Sequence, residues 1–220
     1  MKIIISEQQY ELIKRDIEEE YPTTWNVEEF KKLNSFNQRI QYCERNLTRI
    51  SSGSSRIAYK IDDTKVLKLA KNKKGLAQNQ AEIEYSQDYM MDDIVAQVFN
   101  YDENGLWLEM ELARKVTPVL FYKIVGITFN DYVDGIRHHE YELKPKGSYF
   151  KTPAPDNYQE MWDNDFISRI FDLMGSYDNF VSGDLEKVST YGLVKRDNED
   201  TIVLIDYGLT QEVLNSYYIR

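Results

Sequence analysis

The stretch TIVLIDYGLT, Thr201 to Thr210, constrains this chain more than any other. Its apolar run, Ile202-Val203-Leu204-Ile205, leads straight into Asp206-Tyr207-Gly208. A short apolar run closed by a glycine predicts a buried strand that ends in a sharp turn. Such a strand holds a carboxylate rigidly at its own tip, and rigid placement is what a cation ligand needs. A solvated hairpin that ends in Asp reads the same way, so the rest of the chain has to separate the two.

The chain has 220 residues, enough for one domain of two lobes or two small domains. Hydrophobic residues make up 42% and aromatics 13%, including 17 Tyr, which supports a sizeable core and excludes global disorder. The formal net charge of −10, with no long Lys/Arg run, disfavours direct binding of nucleic acid. It does not disfavour a nucleotide held by backbone N–H groups and a metal. The single Cys43 cannot form an internal disulfide and suits a reducing cytoplasm. The opening MKIIIS resembles a signal peptide, but charge returns at Glu7, which argues against secretion. No segment is long enough to span a membrane, so no membrane partner is expected.

The first part of the chain reads as helical. Ser6 with Gln9 has capping-box spacing ahead of Tyr10, Ile13 and Ile17, and Pro22 ends that helix. Asn26 with Glu29 and Ser35 with Gln38 repeat the pattern, the last ahead of Phe36, Ile40, Cys43 and Leu47 on one face. From Ile50 the period changes to that of strands. Residues 50–113 predict strand, strand, helix, strand, strand, with turns at Asp62-Asp63 and Asn104-Gly105. The second half predicts partly helical sequence from Arg114. It continues with a proline-rich loop or insertion from Lys144 to Asn157, and a helix capped by Asp163 or Asn164. A strand YGLVK, a turn RDNED, the opening strand and a short terminal helix complete the order.

Several features then fall in sequence: a Ser/Gly turn at Ser51 to Ser55, Lys68 in mid-strand, and an acidic helix with Glu82 and Glu84. A strand pair ending in EMELA follows, and Asp184 and Asp206 flank the last hairpin. This ordered set resembles the protein-kinase-like superfamily, which includes small-molecule kinases, over roughly residues 48–210. The resemblance implies an α+β, two-lobed protein-kinase-like fold. Residues 1–48 would be a helical N-terminal extension, 49–113 the N-lobe sheet with one helix, and 114–220 a short, mainly helical C-lobe with a catalytic-loop hairpin. Because the chain ends soon after Gly208, with no room for the peptide platform of protein kinases, the C-lobe is expected to be truncated. Short kinase-like chains of this kind occur in tailed bacteriophages, which suggests a phage origin and a host cytoplasm.

The same resemblance implies ATP and Mg²⁺ as cofactors. Ser52, Gly53, Ser54 and Ser55 stand where a glycine-rich loop covers the phosphates, keeping only its middle glycine, and Arg56 replaces the last. An ordinary Ser/Gly hairpin would look alike. Lys68, turned away from Leu67 and Leu69, stands where the family's lysine contacts phosphate; a solvent-facing strand lysine is the plain alternative. Its expected carboxylate partner is Glu82, which shares a helix face with Gln78 and Tyr85, rather than Glu84. Met110 would lie beside the adenine, with the Glu111 carbonyl and the Ala113 N–H reading its edge. Ser182-Gly183-Asp184-Leu185 resembles the His-Gly-Asp-Leu of aminoglycoside phosphotransferases and choline kinases without its histidine. Asp184 would orient or deprotonate an acceptor hydroxyl. Asp206 would hold the metal, with Ser189 at the position of the family's Asn, or Thr190 or another residue if the loop is longer. The implied activity is phosphoryl transfer from ATP to a protein or small-molecule hydroxyl. The alternatives are a pseudokinase that binds a nucleotide or a partner without catalysis, and nucleotidyl transfer with ATP reversed, where Arg56 would meet the phosphates. His138-His139-Glu140 lacks zinc spacing.

Overall fold

The computed structural model describes residues 25–144, 152–177 and 180–218. The expected helix around Ser6, Gln9, Tyr10, Ile13 and Ile17 lies outside the described residues. Helix α1, Val27–Lys31, starts at Asn26, whose side chain accepts from the N–H groups of Glu28 and Glu29. Helix α2, Phe36–Asn46, carries the expected capping box between Ser35 and Gln38. Both helices lie on one face of a sheet. Phe30 and Cys43 bury against Tyr59, Leu67, Leu69 and Trp107 there.

That sheet has five antiparallel strands, β1 Thr48–Ser52, β2 Arg56–Lys60, β3 Lys65–Ala70, β4 Val98–Tyr101 and β5 Trp107–Glu111, in the order β1-β2-β3-β5-β4. The sequence predicts four strands between residues 50 and 113; the fifth is β1. Every residue of β1 is exposed, so it has no apolar alternation to read, and only its ladder with β2 makes it a strand. Ile94, Val95 and Ala96 also depart from expectation. They do not extend β4 but bridge to strand β8, Glu199–Leu204, through Ala96 N–H to the Leu204 carbonyl (2.9 Å) and Leu204 N–H to the Ile94 carbonyl (2.7 Å). Helix α3, Lys73–Ser86, crosses between β3 and β4 and sends Ile83 and Tyr85 into the larger core.

The second lobe begins at β6, Arg114–Lys115, which pairs with the hairpin of β7, Tyr191–Arg196, and β8. Asp197 and Asn198 turn that hairpin with positive φ (50° and 68°), the two-residue geometry that matches strand twist. Four helices pack beside it: α4 Pro118–Val125, α5 Phe129–Leu143, α6 Tyr158–Trp162 and α7 Asp165–Ser176, the last capped by Asn164. Their core is aromatic, with Phe121, Tyr132 and Tyr191 in mutual contact and the Tyr132 and Tyr191 hydroxyls 2.6 Å apart. His139 belongs to this core. It stacks on Phe171 at 4.5 Å, and burial lowers its pKa, consistent with a packing histidine. Helix α8, Gln211–Tyr217, returns to α3. Among the described residues no helix is long and apolar enough to cross a membrane.

Candidate active-site cleft

A cleft of about 440 Å³ opens between the lobes. Its apolar lining comes from Ile50, Ala58, Val66, Met110, Leu112 and Ile205. Its charged lining collects Lys68, Asp184 and Asp206, together with Arg56 and Lys187.

Lys68 sits in the middle of β3, where strand alternation turns Leu67 and Leu69 to the helical side and Lys68 to the cleft. Its Nζ lies 2.7 Å from Glu82 Oε2 and donates to the Ile205 carbonyl at 2.5 Å. The Lys68 side chain is only 12% exposed and that of Glu82 is fully buried. Burial lowers the Lys68 pKa, and Glu82 opposes that shift. The other oxygen of Glu82 accepts from the Tyr207 N–H (3.2 Å) and faces Arg56 Nη1 at 2.9 Å. Glu84 is exposed, so the carboxylate that meets Lys68 is Glu82.

Asp206 leaves β8 between two tethers. The strand is paired with β7 on one side and with Ile94 to Ala96 on the other, and the Ile205 N–H donates to the Thr190 carbonyl at 2.7 Å. Its carboxylate is bonded to Arg56 Nη2. Burial pushes its pKa up, but Arg56 and then Lys68 outweigh this and hold it below the usual carboxylate range. The φ of Gly208 lies outside the left-handed region. The glycine serves close packing: a Cβ there would come 2.3 Å from the backbone carbonyl oxygen of Gln78 in α3.

Asp184 ends a 3-10 turn, Ser182–Asp184, and pairs with Lys187 at 2.6 Å. Of the two positions open for the missing Asn, Ser189 lines the cleft. The Thr190 hydroxyl is committed to the Asp184 carbonyl at 2.6 Å.

Gly53, Ser54 and Ser55 line the cleft but Ser52 does not; its hydroxyl lies 3.4 Å from Lys71 Nζ. The Ser54 and Ser55 hydroxyls are tied to α3, and the Gly53 N–H to its own hairpin. The Ser54 hydroxyl accepts from Lys74 (2.9 Å), the Ser55 hydroxyl donates to Gln78 (2.5 Å), and the Gly53 N–H donates to the Arg56 carbonyl (2.9 Å). Gly53 has room to spare, since a Cβ there would meet nothing nearer than 3.8 Å. Glu111 and Ala113 lie on the cleft wall; the Glu111 N–H donates to the Gln97 carbonyl (2.8 Å) and its carboxylate accepts from Arg196 (2.8 Å).

Three cleft residues escape sequence reasoning. Arg56 reads as a departure from the glycine-rich pattern, one that meets phosphate only if ATP is reversed, and its pairing with Glu82 and Asp206 is not foreseen. Lys187 reads as one charge in a loop, although its spacing from Asp184 allows contact. Tyr218 reaches the cleft from beyond α8 and accepts from Gln78 Nε2 at 3.3 Å.

The donor set offered to a divalent metal is small. Asp206 is already paired with a guanidinium, Ser189 is a neutral hydroxyl, and among the described residues no three His, Cys, Asp or Glu side chains cluster to hold a metal. A Mg²⁺ that arrives with a nucleotide needs only one or two protein carboxylates beside phosphate oxygens and water, but the carboxylate expected to hold it, Asp206, is taken by Arg56, and the site as it stands does not fit the ion.

No protein-family model matches the sequence, and no curated protein matches it. Among solved structures the chain is similar to the ADP-bound aminoglycoside phosphotransferase APH(2'')-Ib at 13% identity. That likeness spans 94% of this chain and 71% of the other, with a TM-score of 0.38. The streptomycin–ATP complex of APH(2'')-IIa is similar at 13% identity, over 95% of this chain and 72% of the other, with a TM-score of 0.35. SAICAR synthase from Saccharomyces cerevisiae is similar at 11% identity over 73% of each chain, with a TM-score of 0.35. The fold is identified by its own parts: a five-stranded antiparallel sheet with one crossing helix, a strand lysine paired to that helix, and a helical lobe whose hairpin brings two aspartates to the shared cleft. The chain has a two-lobed protein-kinase-like fold.

Proposed function

We propose that this cleft binds ATP and transfers its terminal phosphoryl group to a hydroxyl on a protein or a small molecule. The observation that carries the reading is convergence. Lys68 from one lobe and Asp184 and Asp206 from the other line one cleft, and that cleft also carries apolar side chains, Val66, Met110 and Leu112 among them, against which a flat base can lie. Phosphoryl transfer needs mainly positioning and neutralisation of charge. Lys68, locked by Glu82, meets the phosphates. Asp184 takes the proton of the acceptor hydroxyl as its oxygen bonds to phosphorus, and the bond between that phosphorus and the bridging oxygen breaks to release ADP. Backbone groups near Glu111 and Ala113 read the edge of the base.

A second reading, binding without catalysis, is favoured by one observation: Asp184 is already held by Lys187. Transfer of label from γ-labelled ATP to host-cell proteins, small hydroxyl compounds or the chain itself separates the two. ATP should raise the melting temperature by mass action. Asp184→Asn should keep that rise while cutting label transfer by about 10²-fold, the scale for losing a positioned base. A rise without any transfer by the wild type supports the binding reading. Label arriving from the α-position indicates nucleotidyl transfer, and a melting curve indifferent to ATP removes all three.

A further inference from the structure

The side chain of Arg56 occupies the ground between Asp206 and Glu82 on the cleft wall. Position 56 opens β2, directly after the serine loop, and its backbone lies opposite Ala70. From there the guanidinium reaches Glu82 (2.9 Å) and Asn79 (3.3 Å) in α3 and crosses to Asp206 in the other lobe, with only 11% of the side chain exposed. Burial opposes its charge, but Glu82 and then Asp206 raise its pKa above the usual arginine value. Arginine does not give up its proton in proteins in any case, so the cation at this place is permanent.

The charges around it balance. Arg56, Lys68 and Lys187 stand against Glu82, Asp206 and Asp184, and each carboxylate touches at least one of the cations. A divalent ion entering here would compete with a guanidinium for Asp206. An incoming phosphate instead meets a guanidinium already fixed in place through Glu82, Asn79 and Asp206, which can share its Nη2 with a phosphate oxygen beside a second fixed cation, Lys68. On the nucleotide-binding reading above, we propose that Arg56 takes the place of a divalent metal, so that the cleft accepts a nucleoside di- or triphosphate as the free anion.

The test is calorimetric titration of the full chain with ATP and with ADP, in EDTA and again in excess Mg²⁺. Wild type should bind in EDTA with a Kd within about threefold of that in Mg²⁺. Arg56→Ala should weaken binding in EDTA by about tenfold or more, the loss expected for one charge-assisted contact, and adding Mg²⁺ should restore part of it because Asp206 is then free. Wild type that binds with Mg²⁺ but not in EDTA overturns this proposal and leaves the nucleotide reading standing. Wild type that binds under neither condition overturns both. Arg56→Ala that binds more tightly than wild type in EDTA also overturns it, since Arg56 would then be an obstruction. The wild-type comparison stands alone if Arg56→Ala fails to fold, and Arg56→Lys, which keeps the charge without the guanidinium, should then give an intermediate loss in EDTA; an unchanged Kd would count against the role of the guanidinium.

Discussion

Lys68→Met separates a reading of the strand from a reading of the molecule. A lysine on a half-buried strand is expected from sequence to carry little packing, so its loss should be mild. In the folded chain it is 12% exposed and forms a 2.7 Å pair with a carboxylate that is fully buried. Methionine keeps most of the apolar stem and removes the charge, leaving Glu82 with Arg56 at 2.9 Å and the Tyr207 N–H at 3.2 Å. Removing one partner of a buried pair costs about 3–5 kcal/mol, and the surviving partners place this variant near the low end, about 3 kcal/mol. For a chain of this size each kcal/mol moves the melting temperature by about 2–4 °C, so the variant should melt about 6–12 °C lower. Thermal unfolding followed by circular dichroism, with urea titration for the free energy, measures it. A single variant within about 2 °C of wild type, equivalent to under about 1 kcal/mol, would refute the buried pair.

Two further outcomes follow from the same region. Gly208→Ala should destabilise by about 1–3 kcal/mol in urea titration, as overpacking does, because the new methyl meets the Gln78 backbone carbonyl rather than a side chain that can move. A neutral result would mean that α3 and the Asp206 turn are not in close contact. The pKa of Asp206 is lower in the folded chain than in the unfolded one, where it is about 3.9. Its contribution is therefore complete above that value and is lost as pH falls through the folded value. The stability gap between wild type and Asp206→Asn should stay constant from neutral pH down to about 5 and close below about 4; a gap unchanged in strong acid would show that the carboxylate is not held by Arg56 and Lys68.

Local patterns were legible because they are set by short-range hydrogen bonds and periodicity. The caps at Asn26, Ser35 and Asn164 hold because a side chain two or three positions away satisfies orphan N–H groups. The alternation around Lys68, the face shared by Glu82 and Tyr85, and the apolar run before Asp206 each point a side chain from within its own element. The order of those elements is what makes the fold recognisable. Tertiary structure alone decided what each group meets. Strand β1 exists because β2 offers it a ladder, not because its own residues alternate. Ser52 leaves the cleft wall, and the Ser54 and Ser55 hydroxyls are tied to Lys74 and Gln78 in α3. Gly208 is required by the backbone of a helix far away in sequence. Above all, Arg56 finds Asp206 at a separation of 150 positions. Ion pairing in a cleft depends on side-chain reach and on the cost of burying a charge unpaired, and neither is encoded in the spacing of residues along the chain.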